Sequence, residues 1–278
     1  MDYLTVLFWS LVGSVFSLIG AILLIKSSKD TNKFIHYAMP FGAGALLAAA
    51  FLGLIPEAMH QLEPIVAALW MLGGFLLFFV LERGLSWFHH HHNHEESNKA
   101  KNKTQTYLVV IGDTLHNAID GVALGAAFLV SPATGIGAAL AIAAHEIPQE
   151  IGDFGILLSK GMKAKKAILV NILSALATVA AALLTFWLGH NGIINVAPLL
   201  AVAAGFFIYV AAADIIPDIH ERPHKEAFQQ SLMLLLGVAI VGGVILSTMD
   251  SHTHGEEENH SQNESTSQEY QDEGQHTD

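Results

Sequence analysis

Long stretches of this chain carry no charge at all, and nothing else in the sequence restricts its fold so strongly. Residues 4–25 and 231–249 contain no Asp, Glu, Lys or Arg, and the other apolar runs interrupt their hydrophobicity only sparsely. A run of about 20 predominantly apolar residues is long enough to cross a bilayer as a helix. The hydrocarbon offers the backbone no water, so a helix, which satisfies its own amides, is the default spanning structure. The ten-residue alternation that a membrane β-barrel needs is nowhere present. Charged residues make up 14% of the chain, against about 25% in an ordinary soluble domain.

Eight spans are expected, at 4–25, 34–56, 64–82, 107–130, 133–159, 166–189, 194–217 and 231–249. The fold class is therefore an all-α polytopic membrane protein. The basic residues orient it, because short cytoplasmic loops collect Lys and Arg. Lys26, Lys29 and Lys33 follow span 1, and Arg83, Lys99, Lys101 and Lys103 follow span 3. Lys160, Lys163, Lys165 and Lys166 follow span 5, and Arg222 and Lys225 follow span 7. These are all 13 Lys and Arg of the chain, and an eight-span topology puts every one on a single face. Both termini then lie on the extracytoplasmic side, and the cell membrane is the expected location. The first apolar run is too long for a signal peptide and lacks a basic leader, so it reads as a retained span.

Two segments fall outside this pattern. The loop 83–105, on the cytoplasmic side, contains His89-His90-His91-His92-Asn93-His94. The tail, 250–278, is acidic and His-rich, has too little apolar content to pack, and reads as disordered. Residues 1–249 form the membrane domain. His-rich tracts bind metal. Metal buffering is the stronger reading for the loop and a solvated extension the stronger one for the tail. The net charge of −12 comes largely from that tail. The chain has no cysteine, so it offers neither disulfides nor thiolate ligands.

Against this background the charges inside spans 4 and 5 stand out. Span 4 holds Asp113, His116, Asn117 and Asp120. Span 5 holds His145, Glu146, Gln149, Glu150 and Asp153. Residues four apart share a helix face, which pairs His116 with Asp120, His145 with Gln149, and Glu146 with Glu150. A charge at the bilayer centre costs roughly 2.5–3.5 kcal/mol even on a lenient scale. Asp120, Glu146, Glu150 and Asp153, ionised and unpaired, would thus cost on the order of 10 kcal/mol. No Lys or Arg lies between Lys103 and Lys160 to offset them. Protons, histidinium or a bound cation must do so, and a mobile cation is the simplest partner for carboxylates mixed with imidazoles. Imidazole, carboxylate and amide donors without thiolate suit Zn, Mn, Fe, Co, Ni or Cu(II).

Pro148 removes the amide that would bond Ala144 and crowds its carbonyl. Span 5 is expected to bend or loosen beside His145. Gly121, Gly125, Gly135, Gly137 and Gly152 are expected to let helices approach closely.

At these residues the chain resembles the ZIP (Zrt/Irt-like protein) family of metal-ion transporters. His116-Asn117-Ala118-Ile119-Asp120-Gly121 is similar to its span-4 motif HNxxDG. His145-Glu146-Ile147-Pro148-Gln149-Glu150 is similar to the span-5 motif HExPHE of one subfamily, with Gln149 in place of the second histidine. The resemblance implies a two-metal centre between spans 4 and 5 and movement of metal into the cytosol. Zinc is the first expected cargo, with iron, manganese and cadmium behind it. His116, Asp120, His145 and Gln149 would form one site. Asn117, Glu146 and a shared residue would form its neighbour, with Glu150 at the edge. Some relatives carry a carboxylate on span 6 where this chain offers only Asn171, Ser174 and Thr178.

A shorter echo points to internal symmetry. Span 2 ends in Leu54-Ile55-Pro56-Glu57 and span 7 in Ile215-Ile216-Pro217-Asp218. The topology places these on opposite faces, as an inverted repeat of spans 1–3 and 6–8 around spans 4–5 would. The partners expected are divalent metal ions, the lipid bilayer and a second copy of the chain, and no nucleic acid. No prosthetic group and no enzyme activity are expected. A metal exporter of another fold is the alternative. An intramembrane zinc protease is less favoured, because His145-Glu146-Ile147-Pro148-Gln149 lacks the second histidine of H-E-x-x-H.

Overall fold

The computed structural model describes residues 2–20, 22, 31–91, 98–220 and 227–247. Among these residues the chain is helical throughout, with short turns and no strand. Counting a helix interrupted by a π turn as one, the described residues form eight helices. They are α1 (Tyr3–Gly20), α2 (Lys33–Gln61), α3 (Pro64–His91), α4 (Asn98–Val130), α5 (Pro132–Ser159), α6 (Ala164–His190), α7 (from Ala197 to His220) and α8 (Ala227–Ser247). Five of them, α1, α2, α3, α6 and α8, are long and apolar enough to cross a membrane. The apolar part of α7 is shorter, Ala197–Ala213, and α4 and α5 carry the internal carboxylates. The chain is an all-α polytopic membrane protein.

Several helices run further than their apolar stretches. α2 continues past the expected limit at 56 to Gln61, and α3 past 82 to His91. The segment expected as a loop, 83–105, is helical in its backbone up to His91 and again from Asn98. Apolar content marks where lipid is met, whereas a helix continues until a residue breaks it. The remainder of the His-rich tract and the tail 250–278 lie outside the described residues.

α4 packs most extensively on α6, and both α2 and α3 pack most extensively on α7, with α2 also lying against α5. Burial separates centre from rim: 61% of the apolar window of α2 is buried, but 11% of that of α3. The outward face of α3 is made of Ile65, Leu69, Leu72, Leu76 and Val80, a suitable surface for acyl chains.

α5 is α-helical across Pro148. The Ala144 carbonyl, deprived of its usual donor, faces α2 at Gly42, where a Cβ would come within 3.1 Å of that oxygen. Gly42 leaves room beside that carbonyl, and the helix type does not change. The loosened turns lie elsewhere, as π turns at Val12–Phe16, Ala49–Leu54 and Val210–Ile215. The last two end immediately before Ile55-Pro56 and Ile216-Pro217. In both, the isoleucine amide donates five residues back, to Ala50 and to Ala211. An extra residue in the turn is a recognised way to accommodate a backbone irregularity within a helix.

The same sequence offset that relates the two prolines relates Gly44 to Gly205. A Cβ at Gly44 would overlap the Leu234 carbonyl of α8, and one at Gly237 the Phe41 carbonyl of α2. A Cβ at Gly205 would overlap the Met71 carbonyl of α3, and one at Gly74 the Val202 carbonyl of α7. The α2–α8 and α7–α3 contacts are thus built alike, the arrangement that an inverted repeat of spans 1–3 and 6–8 requires. Gly205→Ala is expected to destabilise the fold by about 1–3 kcal/mol, as overpacking does. Gly73→Ala, where nothing lies within 4 Å, serves as the control, and thermal melting in detergent is the measurement. Equal melting of the two variants would show that the α3–α7 contact yields easily.

Of the five glycines expected to permit close approach, four do. Gly121 and Gly125 face the α6 backbone at Thr178 and Ala182, Gly135 faces the ring of Phe128, and Gly137 faces Ile245. Gly152 has nothing within 4 Å.

Candidate metal centre

α4 and α5 are joined by a sharp turn at Ser131, whose hydroxyl accepts from the Thr134 amide at 3.1 Å and caps α5. Consecutive helices so joined run antiparallel. The N-terminal half of one therefore lies beside the C-terminal half of the other. This brings the motifs of the two helices to one level, and Gly121 lets α6 close on the far side of α4.

Four side chains converge there. His116 Nε2 and His145 Nε2 are 3.3 Å apart. Asp120 Oδ2 lies 3.6 Å from His116 Nε2 and 3.3 Å from His145 Nε2. Glu146 Oε1 lies 3.4 Å from the first and 3.7 Å from the second. One ligand atom from each residue falls within 4.8 Å of all the others. All four residues are buried. Neither oxygen of Asp120 nor of Glu146 has a hydrogen-bond donor.

These distances describe a coordination shell. A tetrahedral divalent ion with metal–ligand bonds of about 2.0–2.1 Å separates its donors by about 3.4 Å. Five of the six edges here measure 3.3 to 3.7 Å. The tautomer suits the purpose too. His145 Nδ1 donates to the Ala141 carbonyl at 2.9 Å, and a carbonyl can only accept. Neutral His145 therefore turns a lone pair on Nε2 inward. That hydrogen bond also orients the ring, the usual arrangement behind a ligating histidine. The inward lone pair of His145 and the two carboxylates repel one another unless a proton on His116 or a bound cation lies between them. The rings of Phe78 in α3 and Phe206 in α7 approach His116 with centroids at 5.7 and 5.4 Å, so apolar surface borders the cluster where α3 and α7 meet it.

Three of the residues expected at the site stand apart from this group. Asn117 is fully buried, but its amide nitrogen donates to Asp113 Oδ1 at 2.9 Å and its oxygen accepts from Thr178 at 2.8 Å. Glu150 accepts at Oε2 from Asn171 of α6 at 2.9 Å. Gln149 is half-buried, one turn beyond His145. The reading of the sequence left Asp113 out of the candidate ligands, and here it is buried and bonded into the same region. Its signal was the i, i+4 spacing to Asn117. The polar residues of α6, Asn171, Ser174 and Thr178, share one face and supply the partners.

A family model described as ZIP Zinc transporter matches residues 3–107 and 89–245, most of the chain. Among curated proteins, the zinc transporter ZIP4 of Mus musculus is 40% identical over 147 residues, covering 52% of this chain and 22% of its own length. The zinc transporter ZIP10 of Mus musculus is 37% identical over 49% of this chain and 17% of its own length. The zinc transporter foi of Drosophila melanogaster is 38% identical over 50% of this chain and 19% of its own length. The matched region thus spans about one fifth of the length of these relatives. With buried histidines and carboxylates grouped between α4 and α5 and a family match across nearly its whole membrane region, the chain belongs to the ZIP zinc transporter family.

Proposed function

We propose that this chain carries divalent transition-metal cations across the membrane into the cytosol, zinc first, with iron, manganese and cadmium as further cargo. The observation that carries the reading is the near-tetrahedral set of His116, Asp120, His145 and Glu146, buried and without any basic side chain to neutralise it. Relatives named as zinc transporters support zinc as the cargo. The chain then acts as a transporter rather than an enzyme, with the metal as substrate and no prosthetic group. Residues 1–249 are the transport domain, and the His-rich loop and tail concentrate metal at its mouths. The one-sided distribution of Lys and Arg supports a cytosolic face at the loops after α1, α3, α5 and α7, with both termini outside and the cell membrane as location. Lipid covers the outward faces of α1, α3, α6 and α8, and a second copy of the chain packs against one of them.

Purified protein reconstituted into liposomes holding a zinc indicator should produce zinc entry well above protein-free vesicles. Entry equal to the blank would overturn the reading. Sorting vesicles by orientation, with the loop after α5 inside or outside, then gives the direction.

Gln149 stands where the subfamily motif has histidine and belongs to the proposed ligand set, as do Asn117 and Glu150 at its margin. Gln149→His should keep the protein active and raise zinc affinity relative to manganese on the order of tenfold, since imidazole is the softer donor. An unchanged ratio would exclude Gln149 from contact with the ion.

A further inference from the structure

The two imidazoles of the cluster are held in different ways. His145 is fixed by its own helix, since Nδ1 donates to the Ala141 carbonyl one turn back. Among the described residues, every polar contact of His116 is made by Nε2, the atom that faces the cluster. No second hydrogen bond among those residues sets the angle of its ring. The terminal torsion of a histidine side chain is broad, so a ring held through one atom can turn its lone pair away from an ion.

What the His116 ring meets instead is aromatic. Phe78 of α3 and Phe206 of α7 stand T-shaped against it, with interplanar angles of 67° and 65°. The two phenyl rings also contact each other, with centroids at 4.6 Å, and Phe78 meets Tyr209 at 5.3 Å. Tyr209 packs on Phe75 and donates its hydroxyl to Glu82 Oε2 at 2.7 Å. Phe206 and Tyr209 are buried, and Phe78 is half-buried. The set is tied to α3 at Glu82 and ends on a metal ligand. The helices that carry it form a tight pair, because Gly74 and Gly205 let the α3 and α7 backbones touch. The two phenyl rings therefore meet His116 as one surface.

We propose that Phe78 and Phe206 are positioning residues for metal binding, which hold the His116 imidazole at the angle that turns Nε2 into the cluster. The inference rests on the reading of the cluster as the metal site and adds to it. Aromatic rings in contact favour edge-to-face geometry over other arrangements, and two such contacts from different helices leave the imidazole one orientation. Leucine fills similar space but has neither a flat face nor a polarised edge, so it leaves the torsion open. His145 keeps its backbone partner whatever happens at α3 and α7. His116 is then the donor that lets go first, and the hold on the ion depends on the α3–α7 pair although neither helix supplies a ligand to the cluster.

The test titrates the full purified chain in detergent with cobalt(II), whose visible absorption reports the number and kind of its donors. Subtracting the His145→Ala protein removes the contribution of the His-rich tracts, and loss of the spectrum on adding chelator gives the release rate. Phe206→Leu and Phe78→Leu should each weaken cobalt binding about tenfold, the lower end of the cost of removing an orienting partner. The loss should come chiefly through faster release, with a changed spectrum as one nitrogen donor loosens. Phe78→Tyr keeps the ring and should keep wild-type affinity and spectrum. Phe128→Leu, at a buried ring packed on Gly135, is the control for packing and should lower the melting temperature without changing the spectrum. Should Phe206→Leu not fold, Phe78→Leu at its half-buried position still decides. Wild-type affinity and spectrum in the folded leucine variants would overturn the proposal, whatever their melting temperatures. A loss in Phe78→Tyr equal to that in Phe78→Leu would overturn it too, since the ring would not be what matters. A wild-type spectrum unchanged by His145→Ala would instead place the cobalt outside the cluster and overturn the reading on which the proposal rests.

Discussion

Asp120→Ala or His145→Ala should reduce zinc flux to the level of empty liposomes, a loss of about 100-fold or more. Even residues that only orient a metal's ligands cost 10–100-fold when removed, and these two would contact the ion itself. The geometry makes the losses unequal in kind. Asp120 Oδ2 lies within 3.6 Å of both imidazoles, so its removal takes away the nearest negative charge from two donors at once. His145 is held by Ala141 through Nδ1 and meets three partners through Nε2. Its removal leaves Asp120 and Glu146 facing each other with one imidazole between them. Truncation after Asp250 should leave most of the turnover, because the membrane residues lie where a dehydrated ion must pass and the tail only concentrates it. Wild-type flux in a correctly inserted His145→Ala variant would show that the ion takes another route.

How much of this could be read from the sequence depended on whether the signal was local. His116 with Asp120 was legible because helical spacing alone puts them on one face, and the absence of Lys and Arg removed the salt-bridge explanation. The convergence of His145 with its chain neighbour Glu146 was not, because the same spacing pairs them with Gln149 and Glu150 instead. The spans were legible from apolar runs, although their ends were not. α2 runs on to Gln61 because Pro56 sits in the first turn of a restarted helix, where its missing amide costs little. The neighbour of the Ala144 carbonyl opposite Pro148 was not legible, since it is a glycine on another helix, Gly42. The π turns had no signal of their own. They became interpretable once the two Ile-Pro-acid segments were seen to carry the same backbone at the same offset. The separation of Asn117 from the cluster was also hidden, because it depends on Thr178, some sixty positions away in sequence.

Zinc affinity of the purified protein should fall about 100-fold between pH 7.5 and 5.5. Metal binds only neutral imidazole and ionised carboxylate, so every proton taken up by a ligand competes with the ion. An imidazole at the ordinary value near 6.5 is about nine-tenths neutral at pH 7.5 and about one-tenth neutral at pH 5.5. Two histidine ligands of that kind would contribute about a hundredfold loss between them. The two rings are close enough, 3.3 Å between Nε2 atoms, that the first proton disfavours a second. Removing one imidazole should flatten the dependence, so that Asp120→Asn, which keeps both rings, retains a steeper pH profile than His145→Gln. Flux follows a different rule from affinity. If transport is limited by release of metal into the cytosol, protonation of the ligands speeds it, and turnover rises at the pH where affinity falls. The decisive measurement is direct binding of zinc across this range, with the His-rich loop and tail controlled by comparison with the His145→Gln protein. An affinity indifferent to pH in the wild type would remove His116 and His145 from the coordination shell, however well their nitrogen atoms fit it.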